Sequence, residues 1–315
     1  MAVVDHPGRV RPKPLRSWLG AIADLSETRY WAYWLLVPAL VLILAVVLYP
    51  TVWGIGLSFR EMRLNRLDLG TGFVGLKHYR ALVEDPIFWL SLQNTVIWTV
   101  TACVGELLIG LAVALLLNRE QKGFRVAAVL ILLPWFLPNV VAGHMWALML
   151  DPRLGVINDM LVKVGILSTY KAWFADPNWA MAAALLVEIW HGFPFFALLL
   201  LAGLKAIPQD LYEAASIDGA GPLTRFRYVT LPQLKTIIVA SVVLRVISLV
   251  NSPDILLILT GGGPGRSTMV LSLYAFLKVN KEFNFGYGSA LAVVLFVLLM
   301  AFSYLYVRLA NVMKD

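Results

Sequence analysis

Apolar residues along this chain gather into six long runs, not into the short alternations of strands or the one-sided stripes of surface helices. The runs lie near Trp31–Phe59, Phe88–Asn118, Val126–Leu150, Trp179–Leu204, Ile237–Thr260 and Tyr287–Val307. As helices, they are long enough to cross about 30 Å of hydrocarbon. Several exceed that length, so tilting or extension beyond the bilayer is expected. By composition each run is continuous, and none repeats another. Trp31, Trp34, Trp53, Trp89, Trp98, Trp146 and Trp179 fall mostly near run ends, as interface anchors do. The expected fold class is all-α: a six-helix transmembrane domain over residues 31–310, flanked by a basic tail at 1–30 and a short end at 311–315. The polar stretch 205–236 is a loop within that domain, and no separate soluble domain remains.

Composition agrees with a lipid solvent. Hydrophobic residues make up 60% of the 315 and charged residues 14%, whereas an average soluble domain is about a quarter charged. The net charge of +7 raises the question of nucleic acid, but the basic residues sit in short loops between runs. Anionic lipid headgroups account for them better, so the bilayer is the expected partner and nucleic acid is not. The single cysteine, Cys103, lies in an apolar run; it excludes an intrachain disulfide and reads as a buried apolar side chain.

Arg9, Arg11, Lys13 and Arg16 precede the first run, as in a signal peptide. That run is too long for a signal core and carries no A-x-A site, so it is read as a retained span. With the N-terminus inside, the inner segments hold 14 Lys and Arg and the outer ones 11. The bias is modest, and the loop 119–125, with Arg119, Lys122 and Arg125, is its densest part. The expected location is the inner (plasma) membrane, multi-pass, with both termini cytoplasmic.

The loop 205–236 carries the strongest local signals. Pro208 suits a helix start, and Asp210 places negative charge in the first turn, where the helix dipole favours it. Gly219 suits the left-handed position after the last turn, and Pro222 blocks continuation. The result is a helix of about ten residues, roughly 15 Å long. Leu211, Ala214, Ala215 and Asp218 share one side of it. The string Glu213-Ala214-Ala215, three residues, Gly219, nine residues, Val229, one residue, Leu231-Pro232 resembles the cytoplasmic EAA motif of permease subunits of binding-protein-dependent ABC importers. Val229 stands where that family usually has Ile. The wording from Leu201 to Pro232 looks like the carbohydrate-uptake branch related to the maltose and glycerol-3-phosphate permeases.

The resemblance implies a six-helix ABC importer permease whose cytoplasmic coupling helix docks on an ATPase. Leu211, Glu213, Ala214, Ala215, Asp218, Gly219, Leu231 and Pro232 are its coupling residues. It further implies a second permease subunit, two ATPase subunits docking on 205–236 and an extracytoplasmic substrate-binding protein. ATP and Mg would sit on the ATPase subunits, with no cofactor on this chain.

Glu106, Glu188 and Arg245 lie near mid-depth of their spans, and Asp254 near an outer end. An ionised group facing lipid there costs at least about 3 kcal/mol, so these side chains turn inward. Ser241, Arg245, Ser248 and Ser252 share one helical face, which Asn251 and Asp254 extend outward. One reading is a substrate path of Glu188, Arg245, Ser248, Asn251, Ser252 and Asp254. The other is a structural ion pair of Arg245 with Glu188 or Glu106. Pro134, Pro138 and Pro194 either kink helices to line a cavity or only pack. Gly261-Gly262-Gly263-Pro264 is a turn at an outer helix end, not a phosphate loop, since no Lys follows at the required spacing.

No Walker A string, no H-E-x-x-H, no G-x-S-x-G and no Cys pair occurs, so neither catalysis nor a metal site is expected. Energy for uphill transport then comes from a partner. The expected function is the permease subunit of an ATP-driven importer of a di- or oligosaccharide or polyol. A self-sufficient ion-coupled transporter or channel is the alternative. The sequence leaves glycerol phosphate and amino-sugars open beside neutral sugars.

Overall fold

A computed structural model of the chain describes residues 31–66, 68, 70–119 and 124–312. The basic tail 1–30, Lys122 of the short basic loop and residues 313–315 lie outside them. Among the described residues the regular structure is helical, joined by two isolated antiparallel bridges, Arg60 with Phe73 and Arg63 with Asn284. The described residues divide into two compact units, the first ending at Gly56 and the second beginning at Leu57.

In the first unit, α1 (Trp31–Leu42) continues through a π-helical turn at Ile43–Leu48 into α2 (Tyr49–Leu57). Leu35–Leu57 is apolar enough to cross a membrane, and none of its residues is buried. Such a rod is stable only where something other than water covers it.

The second unit contains α3 (Lys77–Glu84), α4 (Pro86–Leu117), α5 (Phe124–Phe136), α6 (Asn139–Met149), α7 (Val156–Lys163), α8 (Ala180–Lys205) and α9 (Gln209–Ile217). It continues with α10 (Pro222–Arg225), α11 (Leu231–Asn251), α12 (Asp254–Leu259), α13 (Leu271–Asn280) and α14 (Phe285–Val312). A π-helical turn at Phe226–Thr230 joins α10 to α11, so Pro222 opens a helix at its first position instead of only ending one.

Two of the six expected spans are not continuous. The run 126–150 is a pair, α5 and α6, bent by 100°. Pro138 is the cause: it has no N–H to continue the ladder, and its own backbone turns out of the helix (φ −57°, ψ 139°). The run 237–260 breaks at Ser252, whose extended backbone (φ −111°, ψ 94°) precedes Pro253. Five helices are long and apolar enough to span, and the bent pair is the sixth candidate. Pro134 and Pro194, by contrast, sit inside α5 and α8.

The centre of the unit is the crossing of α4 and α8. Trp98 on α4 and Phe196 and Leu200 on α8 are almost wholly buried. Glycine permits the approach: a Cβ on Gly110 would lie 2.6 Å from Phe196 Cβ and 2.9 Å from the Ala197 backbone nitrogen. Small residues let membrane helices bring their backbones together, where packing replaces the missing hydrophobic drive.

At the end of the unit opposite 205–236, Asp85 caps α4 by accepting from the Ile87 N–H at 2.9 Å. Its other oxygen accepts from the Tyr274 and Tyr287 hydroxyls, both at 2.6 Å, which ties α13 and α14 to the start of α4. Burial pushes the Asp85 carboxyl up, but these hydrogen bonds hold it below the usual carboxylate range. The Gly-Gly-Gly-Pro turn is fixed as well. Asn94 Nδ2 donates to the Arg266 and Met269 carbonyls, and Thr268 Oγ1 to the Gly263 carbonyl.

Replacing Gly110 with Ala forces α4 and α8 apart at their closest point. The expected cost is about 1–3 kcal/mol, read as a lower thermal unfolding midpoint of the purified protein in detergent. An unchanged midpoint would show that the crossing is looser than described.

Candidate functional site

Three helices each send one ionisable side chain to a common point. Arg245 on α11 meets Glu106 on α4 in a bidentate pair, with Nε donating to Oε2 at 2.5 Å and Nη2 to Oε1 at 2.7 Å. Arg245 Nη2 also donates to Glu188 Oε1, on α8, at 2.7 Å. Glu106 is fully buried, and Glu188 and Arg245 nearly so. The planar guanidinium suits this arrangement, because its fork reaches two carboxylates in fixed directions. Gly192 makes the space: a Cβ there would lie 2.2 Å from both Arg245 Nη2 and Glu106 Oε1. Of the two partners open to Arg245 in the sequence, the structure brings both.

One side of this triad opens into a cavity of about 350 Å³. Trp135, Asn139, His191, Ser248 and Ser252 line it together with Glu188 and Arg245. Both helix breaks border it. At the first, the Leu137 carbonyl freed by Pro138 accepts from His191 Nε2 at 3.0 Å. At the second, Asp254 Oδ2 accepts from Ser252 Oγ at 2.7 Å and from Asn139 Nδ2 at 3.0 Å, joining the two breaks. Irregular backbone at membrane depth is tolerated where it lines a cavity, and broken helices recur at transporter binding sites.

The polar stripe of α11 therefore divides. Arg245, Ser248 and Ser252 line the cavity. Ser241 turns its hydroxyl to the Ile238 carbonyl, and Asn251 donates to the Ile247 carbonyl, so neither contributes. Asp254 belongs to the next helix and borders the cavity through its two hydrogen bonds. Trp135, Asn139 and His191 were absent from the sequence-derived set. Their common signal was proximity to Pro138 and Pro194, which composition alone does not separate from ordinary packing.

At the far end of α8, α9 stands clear of the unit. Its N-cap position is Pro208, and Asp210 lies in its first turn. It ends in a Schellman motif: the Ala220 N–H bonds the Ala215 carbonyl, the Gly219 N–H bonds the Ser216 carbonyl, and Gly219 has φ +76°. Tyr212 anchors the helix through its hydroxyl to Thr230 Oγ1 at 3.0 Å, and Arg225 Nη1 donates to Ser216 Oγ at 3.1 Å. Leu211, Glu213, Ala214, Asp218 and Gly219 are exposed and Ala215 half-buried; Leu231 and Pro232, at the start of α11, are exposed. The presented face is more apolar than the expected one. Ile217 and Leu223 are 87% and 79% exposed beside these residues, and neither was expected there.

Among the described residues no group of His, Cys, Asp and Glu is arranged to hold a metal ion. The triad generates a stability prediction. Arg245→Met leaves two buried carboxylates without their cation and costs about 3–5 kcal/mol. The triple variant Glu106→Leu, Glu188→Leu, Arg245→Met removes all three charges and recovers most of that loss. Thermal unfolding in detergent reads both, and a triple variant no more stable than Arg245→Met would contradict the charge argument.

Residues 106–314 match the family described as binding-protein-dependent transport system inner membrane component. The chain is 40% identical over 301 residues to the sulfoquinovosyl glycerol transport system permease protein of Agrobacterium fabrum, covering 96% of each chain. It is 36% identical over 283 residues to the trehalose/maltose transport system permease protein of Thermococcus litoralis, covering 90% of this chain and 94% of that one. A crystal structure of a bacterial ABC transporter that imports the acidic polysaccharide alginate shares the fold. Its TM-score is 0.79, over 94% of this chain and 99% of that one, at 20% identity. With its apolar spans and its match across well over half of its length, the chain belongs to the binding-protein-dependent transport system inner membrane components, as a multi-pass permease subunit of an ABC importer.

Proposed function

We propose that this permease takes up a carbohydrate, delivered by an extracytoplasmic binding protein and driven by two ATPase subunits that dock on residues 205–236. The observation that carries the reading is the exposed helix α9, which presents Glu213-Ala214-Ala215 beside bare apolar side chains and is fastened behind by Tyr212 and Arg225. An apolar face on a polar loop is covered in the working assembly. The names of relatives support the substrate class: sulfoquinovosyl glycerol, trehalose/maltose and, in Mycobacterium tuberculosis, trehalose. A second permease subunit completes the path, and both termini lie on the cytoplasmic side with α9. ATP and Mg are held by the ATPases, and this chain performs no hydrolysis.

The coupling residues Leu211, Glu213, Ala214, Ala215, Asp218, Gly219, Leu231 and Pro232 act as a lever. ATP-driven closure of the ATPase pair displaces α9, and the hydrogen bond from Tyr212 to Thr230 passes the displacement toward α11. The substrate passes the cavity lined by Glu188, Arg245, Ser248 and Ser252, with Asp254 at its rim.

Gly219→Pro tests the lever, because Pro takes only negative φ and has no N–H for the Ser216 carbonyl. The expected result in reconstituted vesicles is insertion into the membrane with sugar uptake reduced about tenfold or more and ATP hydrolysis no longer stimulated by loaded binding protein. Normal uptake by this variant refutes the lever. In a separate measurement, a Walker-motif ATPase co-purifies with the wild-type chain in mild detergent and is lost from Glu213→Lys. A chain that purifies alone and transports in vesicles without ATP belongs instead to an ion-coupled transporter.

A further inference from the structure

The cavity has a sign. Among the described residues Arg245 is the one guanidinium in the cavity lining, and its contacts with Glu106 and Glu188 leave it already engaged on two sides. Three carboxylates stand against it: Glu106 behind, Glu188 in the lining and Asp254 at the rim. With all ionised, two negative charges are uncompensated, and a single proton on the triad still leaves one. His191 spends Nε2 on the Leu137 carbonyl. Glu188 Oε2 has no hydrogen-bond partner among the described residues, although the residue is more than nine-tenths buried and lines the cavity. The remaining polar groups of the lining, Ser248, Ser252 and Asn139, carry no charge.

Resting on the substrate path proposed above, we infer that this chain's wall of the path is an electronegative filter that passes uncharged polyhydroxylated sugars and holds back carboxylated, sulfonated or phosphorylated ones. A free carboxylate oxygen accepts hydrogen bonds from sugar hydroxyls, and the Trp135 ring offers an apolar face beside it. Among the described residues the lining offers an anionic sugar no lysine and no second arginine. Arg245 itself is released only by stripping a buried carboxylate of its partner. The names of relatives do not decide between charged and uncharged sugars, so the filter is a property read from these residues.

The local potential is measurable without a substrate. Cys103 is the chain's only cysteine and is buried, so a Cys103→Ala background leaves Ser248→Cys as a single reporter in the cavity. The complete transporter in native membranes is treated with methanethiosulfonate reagents of equal size carrying a trimethylammonium, a sulfonate or no charge. Modification of this chain is followed by mass. A cleft walled by one sign of charge concentrates the opposite ion about 10-fold or more. The cationic reagent is therefore expected to react about tenfold or more faster than the anionic one, relative to a free thiol. Glu188→Gln reduces that ratio. Asp254→Asn, at an exposed position, does the same if Glu188→Gln fails to insert. Equal rates, or a faster sulfonate, overturn the filter while leaving the path. No reaction even with the neutral reagent overturns the path and the filter with it.

Discussion

The second unit depends on holding three buried charges together, Glu106, Glu188 and Arg245. Taking a guanidinium and two carboxylates out of water costs several kcal/mol per ion, and attraction offsets that only when the geometry leaves little unsatisfied. Here the bidentate pair satisfies both oxygens of Glu106, and the added bond engages one oxygen of Glu188 and leaves the other to the cavity. They do so because α4, α8 and α11 converge and because Gly192 removes the one side chain that would intrude. The triad adds little net stability over an apolar core. What it fixes is position: three helices cannot slide past one another without separating buried opposite charges, so the arrangement is held or lost as a whole.

The helix breaks follow from the same point. A continuous α5–α6 rod would leave no room beside the triad, whereas the 100° bend at Pro138 opens a cavity there. The carbonyl released by the bend is then a partly buried acceptor, and His191, on the helix that also carries Glu188, supplies its donor. Ser252-Pro253 breaks α11 opposite, and Asn139 and Asp254 join the two interruptions across the rim. Irregular backbone, the polar groups that satisfy it and the charged triad thus fall in one place.

The apolar runs disclosed the spans, because lipid imposes a length that composition reveals directly. Residues 86–117 and 180–205 fall within a few positions of the expected bounds. The backbone of the loop 205–236 was legible in detail, since Pro208, Asp210 and Gly219 each act through local backbone rules, and the structure places a Schellman ending at Gly219. The breaks were not legible: Pro134, Pro138 and Pro194 look alike in an apolar sequence, and only tertiary packing makes one a corner and leaves two inside helices. The stripe of α11 was half right for a related reason. Helical spacing assigns Ser241 and Asn251 to a face, but a serine or asparagine satisfied by its own backbone carbonyl needs no cavity.

The helical path from Pro222 through the π-turn to Asn251 connects the two functional ends of the unit. At 1.5 Å per residue it is about 45 Å long. Its near end holds Thr230, bonded to Tyr212 of the exposed helix, and Leu231-Pro232. Arg245 and Ser248 lie farther along the same helix. The path stays helical as far as Asn251, and Ser252-Pro253 interrupts it before α12. In the proposed lever, motion of the exposed helix acts first on the arginine that holds Glu106 and Glu188, so the interaction that fixes three helices together is also the one the lever loads. A shift large enough to exchange one of those carboxylates for water would change the shape of the cavity and its charge in the same step.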